Sequence, residues 1–237
     1  MSWNWAVIFD NLPQLLEGTW LTFELVGLSL LIGGMMSIPL ALMRVSRNPL
    51  IRGLPVAYTF FFRGTPLLVQ LFLFYYGLAQ FEAVRESLFW PYLKEAYWCA
   101  LTVFTLNTCA YTTEILRGAI QAVSPGEIEA AQSIGMSRLA VIRRITLPQA
   151  YRIALPAYSN EIILMLKGSA LASTITLLDL TGMARTIIAR TYMPIEVFFA
   201  AGCIYLLLTF LFIQGYRLLE RHLLRHQRAR EAVTTEA

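Results

Sequence analysis

Between residues 25 and 43 the chain carries no charged side chain at all. Crossing the hydrocarbon core of a bilayer takes about 20 apolar residues in a helix. A stretch of that length restricts the chain to folds that bury a long apolar helix in lipid or in protein. The same texture recurs along the sequence. Of 237 residues, 57% are hydrophobic and only 14% charged, against about 25% charged in soluble proteins. The mean hydropathy is +0.58. A soluble domain of this length has no core large enough to hide so much apolar surface, so the composition specifies an integral membrane protein.

Charge placement gives the topology. Arg44, Arg47 and Arg52 follow the first apolar run, and Arg138, Arg143 and Arg144 lie in a polar segment further on. Arg217, Arg221, Arg225, Arg228 and Arg230 fill the tail. Arginines clustered beside apolar runs mark cytoplasmic loops. The expected spans are about 19–43, 56–81, 96–120, 152–178 and 197–216, in one transmembrane domain covering 1–237. Five spans place the N-terminus outside and the C-terminus inside, and each basic cluster then falls on the cytoplasmic side. Trp3, Trp5 and Phe9 read as an interfacial anchor before the first span. The net charge of +4 has no aromatic-interleaved basic stripe behind it, which excludes nucleic acid as a partner. Residues 1–14 lack the basic start and apolar core of a cleavable signal. Cys99, Cys109 and Cys203 sit in apolar runs without metal-ligand spacing, as small core residues do.

The longest polar interruption is 124–148, SPGEIEAAQSIGMSRLAVIRRITLP. Ser124 can cap a short helix, Pro125 suits its first turn, and Glu127 stands where a capping box places its carboxylate. Gly135 supplies a left-handed terminator. Ser137 can cap a second helix over 138–147, which Pro148 is expected to stop. Ala130 and Ala131 leave a face that another protein surface can approach closely.

Few residues offer chemistry. The two histidines, His222 and His226, lie in the basic tail, and the two lysines, Lys94 and Lys167, follow no phosphate-cradling glycine loop. This chain therefore holds no nucleotide, cofactor or metal of its own. The fourth apolar stretch is interrupted by Asn160, Glu161, Lys167 and Ser169, so it cannot face lipid all round. Glu161 falls about 14 Å into a core about 30 Å thick if the helix enters the membrane at Arg152. An ionisable group near the midplane is a candidate for a cationic substrate. Internal pairing with Lys167 or Arg63, or a protonated helix–helix hydrogen bond, accounts for it equally. Asn160 is turned about 100° away from it. Glu114 either reaches the pathway or, more simply, pairs with Arg117 three residues on. Asp179 is expected to cap a short outer helix, and Arg63-Gly64-Thr65-Pro66 to break or kink the second span.

The spacing Glu129-Ala130-Ala131, Gly135, Ile145-x-Leu147-Pro148 resembles the EAA loop of ATP-binding-cassette importer permeases at every position. Phe62-Arg63-Gly64-Thr65-Pro66-Leu67, 107–114 and 155–161 extend the resemblance to the polar amino-acid permeases, M-type subunits for basic amino acids among them. The resemblance implies a type I importer permease fold with a cytoplasmic coupling helix in 124–148 that docks on the ATPase. It also implies a homologous sister permease, an ATPase dimer that binds ATP and Mg, a periplasmic solute-binding protein, and a bacterial inner-membrane location. Basic amino acids are the expected substrates, with Glu161, Asn160 and Glu114 as candidate substrate residues. An ion-coupled carrier or channel acting alone is the alternative, against which the absence of an inverted repeat counts.

Overall fold

The computed structural model describes residues 3–235, with side chains as far as residue 218. The described chain is entirely helical. Eleven α-helices run in order: α1 Trp5–Arg44, α2 Pro49–Gly64, α3 Leu67–Phe72, α4 Glu82–Arg85, α5 Trp90–Leu93, α6 Ala96–Gln121, α7 Pro125–Ser133, α8 Arg138–Val141, α9 Leu147–Gly168, α10 Leu180–Thr191 and α11 Pro194–Thr235. The basic tail with His222 and His226 belongs to the helical backbone of α11, but its side chains lie outside those described.

Helix α6 is the centre of the bundle. Its most extensive contact is with α1, and α9, α2 and α3 close around it. Close approach of α1 depends on Gly33, where a Cβ would stand 2.8 Å from the Thr105 carbonyl oxygen and 3.1 Å from the Cys109 nitrogen. No side chain fits there, which is why the position is a glycine. At Gly27, by contrast, nothing lies within 4 Å. The main core gathers Leu25, Leu30, Leu71, Phe104, Met165 and Leu166. A second core joins Leu15 of α1 to Leu180, Ala184 and Ile187 of α10 and to Val197 and Ala201. A third, built from Ala41, Leu116, Ala119, Val123, Ala150 and Ala154, holds Ile128 of α7 against the bundle.

Among the described residues, two helices, Trp5–Arg44 and Pro194–Leu218, are long and apolar enough to cross a membrane, and two bent pairs would raise the number to four. Helix α6 falls below that hydropathy because Thr105, Asn107, Thr108, Thr112 and Thr113 are buried on it. Surrounded by other helices rather than lipid, it has no need to be apolar. The span expected over 56–81 is one of the bent pairs: α2 and the helical run 67–80 meet at 105°. Thr65 is extended there (φ −116, ψ 145), and Pro66 brings no backbone N–H to continue the ladder. The fourth stretch likewise breaks. A 3-10 turn over Ser169–Ile175 ends at left-handed Thr176, and α10 leaves at 48°.

Helix α10 occupies most of the segment expected to be an outer loop. Asp179 caps it, accepting from the N–H of Gly182 at 3.1 Å and of Thr181 at 3.3 Å. The capping role read from the sequence is the one found, although Asp179 is fully buried rather than at a free surface.

Candidate functional site

Glu24, Glu114, Glu161 and Asp179 lie buried or half-buried within the bundle, and one of them is treated differently. Glu24 of α1 accepts a 2.5 Å hydrogen bond from the Tyr97 hydroxyl. Asp179 is satisfied by two backbone N–H groups and by the Tyr205 hydroxyl at 3.4 Å. Glu114 of α6 is the focus of an ion cluster. Arg44 Nε and Arg117 Nε each donate at 2.8 Å, one to each carboxylate oxygen, and Arg63 Nη1 lies 3.8 Å away. Glu161 of α9 is only 4% exposed, yet among the described residues it makes no hydrogen bond and no ion pair.

That contrast narrows the alternatives left by the sequence. Glu114 does pair with Arg117, but also with Arg44, whose role in the sequence was only to mark topology. Lys167 is exposed and makes no ion pair with Glu161 within 4.0 Å. Asn160 is exposed while its neighbour Glu161 is buried. It lies with Pro156, Ala157, Leu164 and Lys167 on the open side of α9, as a 100° step per residue requires. Glu161 and Asn160 therefore address different spaces.

The break between α2 and α3 is held by a side chain that sequence reasoning passed over. Buried Gln70 directs its amide nitrogen to the Phe62 carbonyl (2.8 Å), the Thr65 carbonyl (3.1 Å) and the Thr65 hydroxyl (2.9 Å). Its amide oxygen accepts from Asn107 of α6 at 3.0 Å. A helix end leaves its last carbonyls without partners, and Gln70 supplies them while tying the corner to the central helix. The break holds Arg63, the last basic residue of α2, beside α6, with its guanidinium 5.4 Å over the Tyr111 ring. A glutamine four residues beyond an Arg-Gly-Thr-Pro sequence was the available signal.

In 124–148 the helix that ends at Ser133 is closed by a Schellman motif. Gly135 is left-handed (φ +83), its N–H meets the Gln132 carbonyl at 2.9 Å, and the Met136 N–H meets Ala131 at 3.1 Å. Ser137 caps α8 through the Ala140 N–H. Three details differ from the sequence expectation. The Ser124 side chain makes no cap bond, and the Glu127 carboxylate is taken by the amide of Gln149, so the capping box does not form. Pro148 does not stop the second helix. The backbone widens through a π turn over Ile142–Thr146 and continues into α9, whose first turn tolerates a proline because its N–H would be unpaired there. Of the paired alanines, Ala131 is buried inward and only Ala130 faces out with Glu129. The apolar groups presented at the tip are Ile134 at 80% and Leu139 at 74% exposure.

The family described as the binding-protein-dependent transport system inner membrane component matches residues 29–225. The chain belongs to this family. It is an inner-membrane component of a transport system of that kind. It is 48% identical over 220 residues to the octopine transport system permease protein of Rhizobium meliloti, covering 93% of this chain and 90% of the relative. To the histidine/lysine/arginine/ornithine transport system permease protein of Escherichia coli (strain K12) it is 46% identical over 210 residues, 88% of each. A chain in a crystal structure of an amino acid ABC transporter with histidines superposes with a TM-score of 0.82 at 36% identity, covering 94% of this chain and 100% of that one. The fold is thus that of a type I ABC permease, and the helix breaks described above are placed within it.

Proposed function

We propose that this permease component carries basic amino acids inward across the bacterial inner membrane, with Glu161 as the group that meets the cationic end of the substrate. The single observation behind this reading is a carboxylate buried in the bundle with no hydrogen-bond or ion-pair partner among the described residues, where Glu24, Glu114 and Asp179 each have one. Burying a charge without a partner is expensive. A substrate ammonium or guanidinium would supply the missing partner only while it is bound. The names of the relatives, which cover octopine as well as histidine, lysine, arginine and ornithine, agree with a cationic amino-acid class.

The topology that supports this reading has five spans: α1, the bent α2–α3 pair, α6, α9 with its broken end, and α11. The N-terminus lies in the periplasm and the C-terminus in the cytoplasm. The chain works beside a homologous sister permease, with a periplasmic solute-binding protein outside and an ATPase dimer inside. ATP and Mg belong to the ATPase, and this chain is not catalytic. Glu129, Ala130, Ala131, Gly135, Ile145, Leu147 and Pro148 form the coupling segment that the ATPase grips, with Ile134 and Leu139 as its apolar contacts. Glu114 serves the pathway as the anchor of an arginine cluster rather than as a ligand, and Asn160 lines the face toward the sister subunit.

The test is uptake by the assembled complex in proteoliposomes loaded with ATP and supplied with binding protein. Glu161→Gln should lower arginine uptake about tenfold or more, the loss expected for a charge-assisted hydrogen bond. Assembly with the ATPase should be unchanged. Uptake at the unsubstituted rate would remove Glu161 from the substrate path.

A further inference from the structure

Two cavities meet at Tyr151 of α9. One, of about 240 Å³, lies between α1, α6, α9 and α11, with Leu31, Met35, Ile115, Tyr151 and Leu155 in its wall. It reaches the outside of the bundle, since Leu31 and Met35 are 61% and 65% exposed. The other, of about 320 Å³, is walled by Arg143, Leu147, Pro148, Tyr151 and Arg152. On α9, positions 147, 148, 151 and 152 line the second cavity and 151, 154, 155 and 158 the first. That is one continuous stripe at the spacing of a helix face, running from basic to apolar.

The two halves differ in what they can hold. In the apolar cavity the Tyr158 hydroxyl donates to the Leu30 carbonyl and the Tyr216 hydroxyl to the Leu155 carbonyl, each at 2.9 Å. The buried Thr112 hydroxyl, without a partner, is too little to hold a polar solute. Glu161 does not line this cavity, so it is separate from the proposed substrate contact. Met35 and Leu31 stand about 14 and 20 Å along α1 from Arg44, at the depth of acyl chains. In the basic cavity, Arg143 and Arg152 make no ion pair and no side-chain hydrogen bond among the described residues. Arg44 and Arg117, by contrast, are both engaged by Glu114.

We propose that the two cavities together hold one anionic glycerophospholipid, its phosphate between Arg143 and Arg152 and one acyl chain in the apolar cavity. Guanidinium forks match phosphate oxygens by paired hydrogen bonds, and basic pockets between membrane helices select anionic headgroups. Tyr151, at the junction, has the amphipathic ring that suits the membrane–water boundary. Charge complementarity names the headgroup, and the apolar wall names the chain. A lipid held this way bridges α9 to α1 just beyond the π turn over Ile142–Thr146. Leu147 and Pro148 also belong to the proposed coupling segment, which makes the ATPase the rival cover for the basic half.

The experiment titrates the assembled permease–ATPase complex in neutral detergent and counts bound lipid by native mass spectrometry. Phosphatidylglycerol is compared with phosphatidylcholine of the same chains, whose choline cancels the phosphate charge. The anionic lipid should bind about tenfold or more tighter. Arg143→Gln with Arg152→Gln should bring it down to the level of phosphatidylcholine and leave phosphatidylcholine within about twofold. Retained phosphatidylcholine binding shows that the variant is folded. Arg138→Gln with Arg144→Gln removes as much charge from the same stretch outside the cavity, and should leave the preference within about twofold. A phosphatidylglycerol with a mid-chain diazirine should, on irradiation, label the segments carrying Leu31, Met35, Ile115 or Tyr151. Glycerol phosphate, which brings no chain, should not displace the lipid. Four results each overturn the assignment: no preference for the anionic lipid, a preference that survives loss of Arg143 and Arg152, displacement by glycerol phosphate, or a cavity wall left unlabelled because the ATPase or another subunit covers it. Equal loss of preference in the Arg138 and Arg144 variant also overturns it, in favour of a diffuse basic surface.

Discussion

Glu114 and Glu161 are the same residue type, each within a helix of the bundle, and the fold deals with them in opposite ways. Glu114 is surrounded by three arginines drawn from α1, α2 and α6. Glu161, less exposed, has none within bonding distance. The first arrangement locks three helices together around a charge that is already satisfied. The second leaves a buried carboxyl group without a partner, which is what the proposed substrate contact requires. An ionisable residue in a span is thus a statement about function only once its partners are known, and partners drawn from distant segments decide which kind it is.

Four substitutions test that comparison through thermal unfolding of the purified complex, and they rank by size. Removing Glu114 by Glu114→Ala strands three guanidinium groups, and breaking a buried pair on one side costs about 3 kcal/mol. A melting temperature equal to that of the unsubstituted complex would show that the cluster is not structural. Gln70→Ala leaves the Thr65 carbonyl without its side-chain donor and the Phe62 carbonyl and Asn107 amide with only their mutual 3.4 Å bond, for a loss of about 2 kcal/mol. Gly135→Ala forces a Cβ into the left-handed region at φ +83 and costs about 1 kcal/mol. That loss should appear even though nothing lies within 4 Å of the new methyl, so an effect much larger than this would point to a clash instead of backbone strain. Glu161→Gln should cost least. With no bond to lose and no unpartnered charge left to bury, the neutral amide should leave the unfolding temperature unchanged or raise it, while substrate binding falls. A large destabilisation by Glu161→Gln would erase the contrast and return Glu161 to the structural class.

Much of the segment around Gly135 was legible because its instructions are local. A left-handed glycine, a serine three residues before the N–H it caps and an alternation of apolar and basic residues act within a few positions of one another. Of the failures there, one came from a distant residue and one was local. The Ser124 capping box lost to Gln149, twenty-two residues on, which took the Glu127 carboxylate, and Pro148 was read as a stop although a π turn made it a beginning. Asp179 was legible as a cap for the same reason that Gly135 was legible as a terminator. The Gln70 contacts were not, because they close a 105° corner that periodicity, which counts residues along one axis, does not see. The Glu24–Tyr97 bond and the recruitment of Arg44 to Glu114 join residues about seventy positions apart, beyond the reach of any spacing rule. The pairing of Glu161 was left open by the sequence and closed only by the packing around α9.

The sequence by itself determined that this chain lives in a membrane and that its longest polar segment opens with a short helix closed at Gly135. Both follow from interactions whose range is short: transfer of each side chain into lipid, and hydrogen bonds within a turn. Which carboxylate is neutralised and which is left waiting was decided only by the tertiary structure. Electrostatic pairing depends on distance in space, and the helix breaks at Thr65 and Thr176, together with the close approach at Gly33, set those distances.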